Sequence, residues 1–146
     1  MIKIGVIGYG YWGPNLVRNF MEAPGSTVAA VCDLRPERLA HLQLRYPSIR
    51  TVTSCQELFS DSSIDAIAVA TPVSSHFELA MAALKAGKHV LVEKPLASNS
   101  DQALQLIEEA ARRKRVLMVD HTFVYTSAVR KIRELITSNA LGDIYY

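Results

Sequence analysis

Three glycines near the start of the chain have the spacing of a phosphate-binding turn. Gly8, Gly10 and Gly13 form a G-x-G-x-x-G motif that follows an apolar run and precedes a helical pattern. Glycine at these positions permits a tight strand-to-helix turn, close approach of a pyrophosphate and close helix packing. Asp33 ends the next apolar run, at the distance where an acidic residue binds the ribose of a dinucleotide. The motif therefore predicts a βαβ unit that holds NAD, with the phosphates at the helix N-terminus.

The residues around this motif leave the choice of dinucleotide open. The Asp33 carboxylate can accept hydrogen bonds from both ribose hydroxyls and would repel a 2′-phosphate, which favours NAD. Arg35 is close enough in sequence to accommodate that phosphate, so NADP remains an alternative. Tyr11 and Trp12 lie inside the turn and are candidates for the cofactor site. For Trp12, the only tryptophan, we favour a role as a buried packing anchor over a place beside the cofactor.

A second group of polar residues follows the next two strong strand patterns. One strand leads into Ala70-Thr71-Pro72 and then His76, and the other into Glu93-Lys94-Pro95. Open α/β sheets bind ligands at the carboxyl ends of their strands, so both segments are expected to face the cofactor crevice. Lys94 is the candidate for moving a substrate proton, with a solvated surface lysine as the alternative. His76 fits a capping or supporting role as well as a reactive one, and the bond before Pro95 is a candidate for a cis peptide bond.

Alternating strand and helix patterns predict the fold that would position these residues. Strands are predicted at 2–7, 27–33, 51–52, 66–70, 89–93 and 116–120, and helices at 14–21, 36–46, 74–86, 100–113 and 128–137. Ser98 and Asp101 resemble a capping box ahead of the fourth helix. Short βα connections imply right-handed crossovers and a doubly wound parallel sheet. After Asp120 we expect a loop at 121–125, the last helix, and the beginning of a strand at 144–146.

Composition excludes several classes of protein. The formal net charge of +2 is too small to indicate a nucleic-acid partner, and no apolar run reaches membrane-spanning length. Cys32 and Cys55, the only cysteines, have neither disulfide-framework nor zinc-ligand spacing, so no metal site is expected. Cys32 lies in an apolar run and is predicted to be a small core residue. With no apolar leader pattern, we expect a soluble cytoplasmic protein.

The two groups of residues together resemble one family of enzymes. The GYGYWG turn, Asp33, the ATP segment with His76, the Glu93-Lys94-Pro95 triplet and Gly142-Asp143-Ile144 are similar to the Gfo/Idh/MocA oxidoreductases. The resemblance implies that the three glycines and Asp33 bind the dinucleotide and that Thr71, Pro72, His76 and Glu93 line its nicotinamide side. Lys94 would be the catalytic lysine in hydride transfer between the cofactor and a sugar, nucleotide-sugar or cyclitol hydroxyl. Residues 8–20 and 118–125 look most like the branch that oxidises UDP-N-acetylglucosamine.

The resemblance also implies an incomplete enzyme. Such proteins continue into a second α/β domain that supplies much of the substrate pocket. We therefore expect a Rossmann domain at 1–120, with 121–146 forming a connecting helix and the start of an absent domain. An exposed apolar face at this end would favour a homo-oligomer. The alternative function is a non-catalytic dinucleotide sensor on the same fold, against which the presence of Lys94 argues.

Overall fold

A computed structural model describes residues 1–145 of the chain. These residues contain six strands and six α-helices, with short 3₁₀ turns at Val73–Ser75 and Thr122–Tyr125. The strands are β1 (Ile2–Ile7), β2 (Ser26–Cys32), β3 (Arg50–Val52), β4 (Ala66–Val69), β5 (His89–Val92) and β6 (Leu117–Val119). The helices are α1 (Gly13–Glu22), α2 (Pro36–Arg45), α3 (Cys55–Ser60), α4 (His76–Lys85), α5 (Ser100–Arg113) and α6 (Ser127–Thr137).

The strands form one parallel sheet in the order β3-β2-β1-β4-β5-β6. The chain moves outward from β1 to β3, then crosses back to β4 and moves outward in the other direction. This order is that of a Rossmann fold, and its reversal between β1 and β4 opens a crevice at the strand carboxyl ends. The predicted doubly wound sheet is confirmed.

Side-chain alternation along β1 explains why both faces of the sheet are covered. Ile4 and Val6 point into a core formed with α1 and α2, whereas Ile7 points into a core formed with α3, α4 and α5. A strand buried on both faces must be apolar at consecutive positions, which the sequence of β1 provides. Gly5 faces α3, where an added Cβ would lie 2.9 Å from a methyl carbon of Leu58.

One helix was not predicted, and one predicted cap is wrong. Helix α3 was not expected, because its six residues are too few to show helical periodicity. The cap of α5 is Asn99 rather than Ser98: the Asn99 side chain accepts a hydrogen bond from the Gln102 N–H at 2.9 Å. Asn caps a helix as well as Ser does, and the Gln102 side chain accepts from the Ser98 N–H instead.

The segment after β6 lies outside both cores. Helix α6 forms as predicted and begins at a Thr126 cap, but none of its residues is buried. The expected loop at 121–125 contains a 3₁₀ turn. The expected strand is absent at Ile144 and Tyr145, which have no neighbouring strand within residues 1–145 to pair with, and Tyr146 lies outside the described residues. No helix in the described chain has the length and apolar character needed to cross a bilayer.

Candidate functional site

A cavity of about 860 Å³ lies at the carboxyl ends of the central strands. Its wall contains residues that follow β2, β1, β4 and β5, which are consecutive neighbours in the sheet. Eleven of the fourteen predicted site residues line it: Gly8, Gly10, Tyr11, Trp12, Asp33, Arg35, Ala70, Thr71, Pro72, Glu93 and Lys94. The other three, Gly13, His76 and Pro95, are not in the wall; Gly13 and His76 are buried, whereas Pro95 is exposed.

The turn between β1 and α1 depends on two of its glycines. Gly8 has φ +96°, and a Cβ there would lie 2.6 Å from the Ala70 carbonyl oxygen. A Cβ on Gly13 would lie 2.1 Å from the Gly8 carbonyl oxygen. Both distances are far below normal contact, so a side chain at Gly8 would force the turn away from the end of β4, and one at Gly13 would force α1 away from the turn. The motif therefore brings the start of α1 directly against the end of β1.

The start of α1 offers unpaired donors to the cavity. Trp12 is the N-cap residue and provides no side-chain cap, while Pro14 in the first turn lacks an N–H group. The backbone N–H groups of Gly10, Tyr11 and Trp12 have no acceptor among the described residues. Such groups, together with the positive end of the helix dipole, favour a bound anion such as a diphosphate.

Asp33 is held by three donors at the end of β2. Its side chain is buried and accepts hydrogen bonds from the N–H groups of Tyr9 at 2.7 Å and Arg35 at 2.9 Å. The Arg38 guanidinium adds a third hydrogen bond at 3.3 Å. Burial alone would raise the pKa of the Asp33 carboxyl, but these donors outweigh it and hold the pKa below its ordinary value. Asp33 is therefore an anchored carboxylate, not a proton donor.

Arg38 is a site residue that the sequence analysis missed. It lies in the first turn of α2, lines the cavity, and its Nη1 atom lies over Gly10, 3.2 Å from where a Cβ would be. A carboxylate has about four acceptor positions, and the protein occupies three of those on Asp33. The spacing of five residues from Asp33, which places Arg38 in the first turn of α2, is the signal that could have identified it.

His76 links the two segments on the other side of the cavity. Its side chain is 1% exposed, with Nδ1 2.8 Å from the Pro95 carbonyl oxygen and Nε2 2.8 Å from that of Thr71. His76 was predicted to line the nicotinamide side of the cavity, but its ring lies behind the cavity wall instead. Both ring nitrogens face carbonyl acceptors, so the ring has no atom left for a ligand. The Lys94-Pro95 peptide bond is cis.

Lys94 and Glu93 reach the cavity from the end of β5. The Lys94 ammonium forms no ion pair or hydrogen bond with any described residue, which leaves it free for a ligand. One carboxyl oxygen of Glu93 is buried without a partner in the described structure. Burial, together with the nearby Asp120 carboxylate, raises the pKa of the Glu93 carboxyl. Glu93 thus keeps its proton more readily than an exposed glutamate and has hydrogen-bonding capacity to spare.

Trp12 is not the buried packing anchor that we expected. Its side chain is 37% exposed and lines the cavity, and the indole N–H donates to the Asp120 carboxylate at 3.4 Å. The Tyr11 ring stacks on it at 6.4 Å between centroids. The N-cap position explains this placement, because a residue at the mouth of the turn faces the crevice rather than the core. Cys32, in contrast, is buried in the core as predicted.

The residues present fit a dinucleotide. The turn provides open N–H groups, Asp33 provides an anchored acceptor, and Glu93 provides a buried oxygen without a partner. Within residues 1–145, no group of three or more His, Cys, Asp or Glu side chains is arranged to hold a metal ion.

Comparison with known proteins identifies the family. The model of the Gfo/Idh/MocA oxidoreductase family, described as an NAD-binding Rossmann fold, matches residues 2–121. The chain belongs to this family, and the fold is its NAD-binding domain. The chain is 34% identical over 146 residues to the uncharacterized oxidoreductase YdgJ of Escherichia coli and 32% identical over 143 residues to inositol 2-dehydrogenase 3 of Saccharopolyspora erythraea. These matches cover 99% and 97% of the chain but only 41% and 42% of those proteins.

Solved structures agree with this assignment. A 3-ketoreductase from Actinomadura kijaniata, solved in complex with TDP-benzene and NADP, has 28% sequence identity and a TM-score of 0.87. The match covers 98% of this chain and 46% of that one. The chain therefore corresponds to less than half the length of its relatives.

Proposed function

We propose that the cavity binds NAD(H) in an extended conformation across four strand ends. The adenosine ribose would contact Asp33, which follows β2. The diphosphate would bind at the turn after β1. The nicotinamide would contact Thr71 and Lys94, which follow β4 and β5. The observation that carries this proposal is the order of these groups across neighbouring strands of one sheet. Neighbouring strands lie about 4.8 Å apart, so the sites form one continuous track.

The anchored charge of Asp33 favours NAD over NADP in this proposal. A carboxylate whose pKa is held low stays ionised and repels a 2′-phosphate. The 3-ketoreductase bound to NADP shows that the fold also accommodates the phosphorylated cofactor. In this chain Arg35 and Arg38 both line the cavity beside Asp33, so they are the residues that would meet such a phosphate.

We further propose that, in a protein of its relatives' length, this domain takes part in oxidising or reducing a sugar, nucleotide-sugar or cyclitol hydroxyl. The bound nicotinamide would supply or accept the hydride. Lys94 would hold the reacting hydroxyl and take up or return its proton, since its ammonium group is otherwise unengaged. The position of Lys94 in the cavity wall favours this function over that of a sensor, which needs the phosphate turn but not the lysine.

Fluorescence titration tests the binding proposal. Trp12 is the only tryptophan and lies in the cavity, so NADH should quench its emission. Asp33→Ala should weaken NADH binding by at least about tenfold, because the ribose loses a hydrogen bond to a charged group. Lys94→Ala should leave NADH affinity within about threefold of the original value, because Lys94 acts mainly on the substrate. Absence of NADH binding at millimolar concentration would overturn the proposal.

Turnover separates the enzyme from the sensor. The isolated chain should oxidise sugars and cyclitols very poorly, since most of its relatives' length is outside it. In a longer protein that carries this domain, Lys94→Ala should abolish most of kcat without loss of cofactor affinity. A Lys94→Ala protein that kept its full activity would refute the catalytic role.

A further inference from the structure

Two cysteines from different elements meet in the wall of the cavity. Cys32 ends β2, Cys55 begins α3, and both line the cavity next to Asp33. Their Sγ atoms lie 3.2 Å apart, and both are free thiols. A disulfide bond is about 2.05 Å long, so a shift of roughly 1.2 Å would join the two sulfurs. This pairing was not expected from the sequence, where 22 residues separate the two cysteines.

The two thiols differ in their access to reagents. Cys32 is 1% exposed, whereas Cys55 is only partly buried. Cys55 is therefore the more accessible of the two residues to a small molecule that enters the cavity. The pair has the arrangement of an attacking thiol at the surface and a second thiol behind it.

The hydrogen bond between the thiols adds to this difference. It lowers the pKa of the Cys55 thiol, because the thiolate form accepts from Cys32. The same hydrogen bond, together with burial, raises the pKa of the Cys32 thiol. The thiolate is the nucleophile in disulfide exchange, so Cys55 is also the more reactive of the two.

We propose that Cys32 and Cys55 form a redox-active dithiol, in which Cys55 is modified by a low-molecular-weight disulfide and Cys32 resolves the adduct. The Cys55 thiolate attacks one sulfur of the small disulfide, a mixed disulfide forms, and the departing thiolate takes up a proton. The Cys32 sulfur then loses its proton and attacks Cys55 Sγ, and the second small thiol leaves with that proton. Two protein thiols are oxidised to one disulfide, and one small disulfide is reduced to two thiols.

The adduct would also obstruct the cavity, a consequence that rests on the proposed function. Cys55 lies beside Asp33, where the adenosine ribose is expected, so a group as large as glutathione on Cys55 would occupy the same space. Resolution by Cys32 removes that group. NADH binding should therefore be lost in the mixed disulfide and regained when a reductant releases the adduct.

Mass spectrometry of the intact 146-residue chain with glutathione disulfide tests the chemistry. The original chain should end two hydrogens lighter, with no adduct. Cys32→Ser should accumulate one glutathione adduct. Cys32→Ala, which places no polar atom in the core, should give the same result. Cys55→Ser should form an adduct at least about tenfold more slowly, because its remaining thiol is buried. Circular dichroism and the urea midpoint establish that each variant is folded.

Two results would overturn the proposal. One is an original chain that stays fully reduced under conditions that modify Cys32→Ser, since Cys32 would then not act as the resolving thiol. The other is a folded Cys55→Ser that reacts as fast as Cys32→Ser. NADH titration of the Cys32→Ser adduct, with and without dithiothreitol, tests the obstruction separately. If the unmodified chain binds no NADH, the proposed function fails while the mass measurements still decide the thiol chemistry.

Discussion

The Arg38 guanidinium lies 3.3 Å from the Asp33 carboxylate, above the open face of Gly10. This pair joins the end of β2 to the first turn of α2. In the binding mode that we propose, it lies where the two dinucleotides differ. The carboxylate repels a 2′-phosphate, whereas the guanidinium attracts one. The balance between them should set the preference of the cavity for NADH or NADPH.

Removal of Arg38 should therefore affect the two cofactors unequally. In Arg38→Ala the Asp33 charge is no longer offset, so NADPH affinity should fall by about tenfold or more, as for loss of a charged hydrogen bond. NADH affinity should change by less than about threefold, because the vacated acceptor position on Asp33 becomes available to the ribose. Titration with both cofactors measures the ratio. Arg35→Ala is the matched control; a larger effect there would assign the phosphate to Arg35 instead.

Gly13→Ala should destabilise the chain through a backbone collision. The new methyl group would lie 2.1 Å from the Gly8 carbonyl oxygen, and relief requires α1 to move away from β1. We expect a loss of about 3 kcal/mol in the free energy of unfolding, measured by urea denaturation.

Gly25→Ala is the control for that loss. Gly25 has φ +86° but no atom within 4 Å of an added Cβ, so only backbone strain of about 1–2 kcal/mol applies. Equal losses at the two positions would show that the contact with Gly8 is not the cause.

His76→Ala should cost about 2–4 kcal/mol of stability, because it opens a cavity and removes the ring whose nitrogens lie against the Thr71 and Pro95 carbonyl groups. It should also weaken NADH binding, since Thr71 and Lys94 lose their common support. Urea unfolding and NADH titration measure the two effects. The exposed His41→Ala should change stability by less than about 0.5 kcal/mol. Unchanged NADH affinity in a folded His76→Ala chain would contradict the supporting role.

The Glu93 carboxyl should make stability depend on pH. Its pKa is raised in the folded chain by burial and by Asp120, which directly follows β6, with Lys94 opposing, so the native state holds the proton more tightly than the unfolded state. Stability should therefore fall as pH rises from the ordinary glutamate range through the raised value. Glu93→Gln removes this dependence. The stability of Glu93→Gln minus that of the original chain should therefore increase as pH rises from the ordinary glutamate range to the raised pKa, and stay constant at higher pH.

Urea denaturation at a series of pH values from 4 to 8 measures this difference. The exposed Glu108→Gln is the control for loss of a carboxylate. A constant difference between Glu93→Gln and the original chain over the whole range would show that the proton on Glu93 plays no part.

The local features of the site could be predicted from the sequence because they depend on neighbouring residues. The glycine spacing specifies the turn between β1 and α1, and apolar runs identify β1 and β4 as central strands. Since the carboxyl ends of parallel strands share one edge, the grouping of Asp33, Thr71 and Lys94 followed from the strand assignments alone.

The features that were missed depend on contacts between distant residues. The approach of Cys55 to Cys32, and of Asp120 to Trp12 and Glu93, is determined by how whole elements pack. The burial of His76 likewise depends on the path of the chain around Pro95. These distances cannot be predicted from residue type and spacing alone.

Because α6 lies outside both cores, it should unfold locally more easily than the strands of the sheet. An eleven-residue helix is marginal in water, and α6 is held by its Thr126 cap, the Lys131–Glu134 ion pair and the neighbouring 3₁₀ turn. Its amide hydrogens should exchange with solvent through local opening, within seconds to minutes. Those of β1, enclosed between β2 and β4, should exchange only when the whole sheet unfolds.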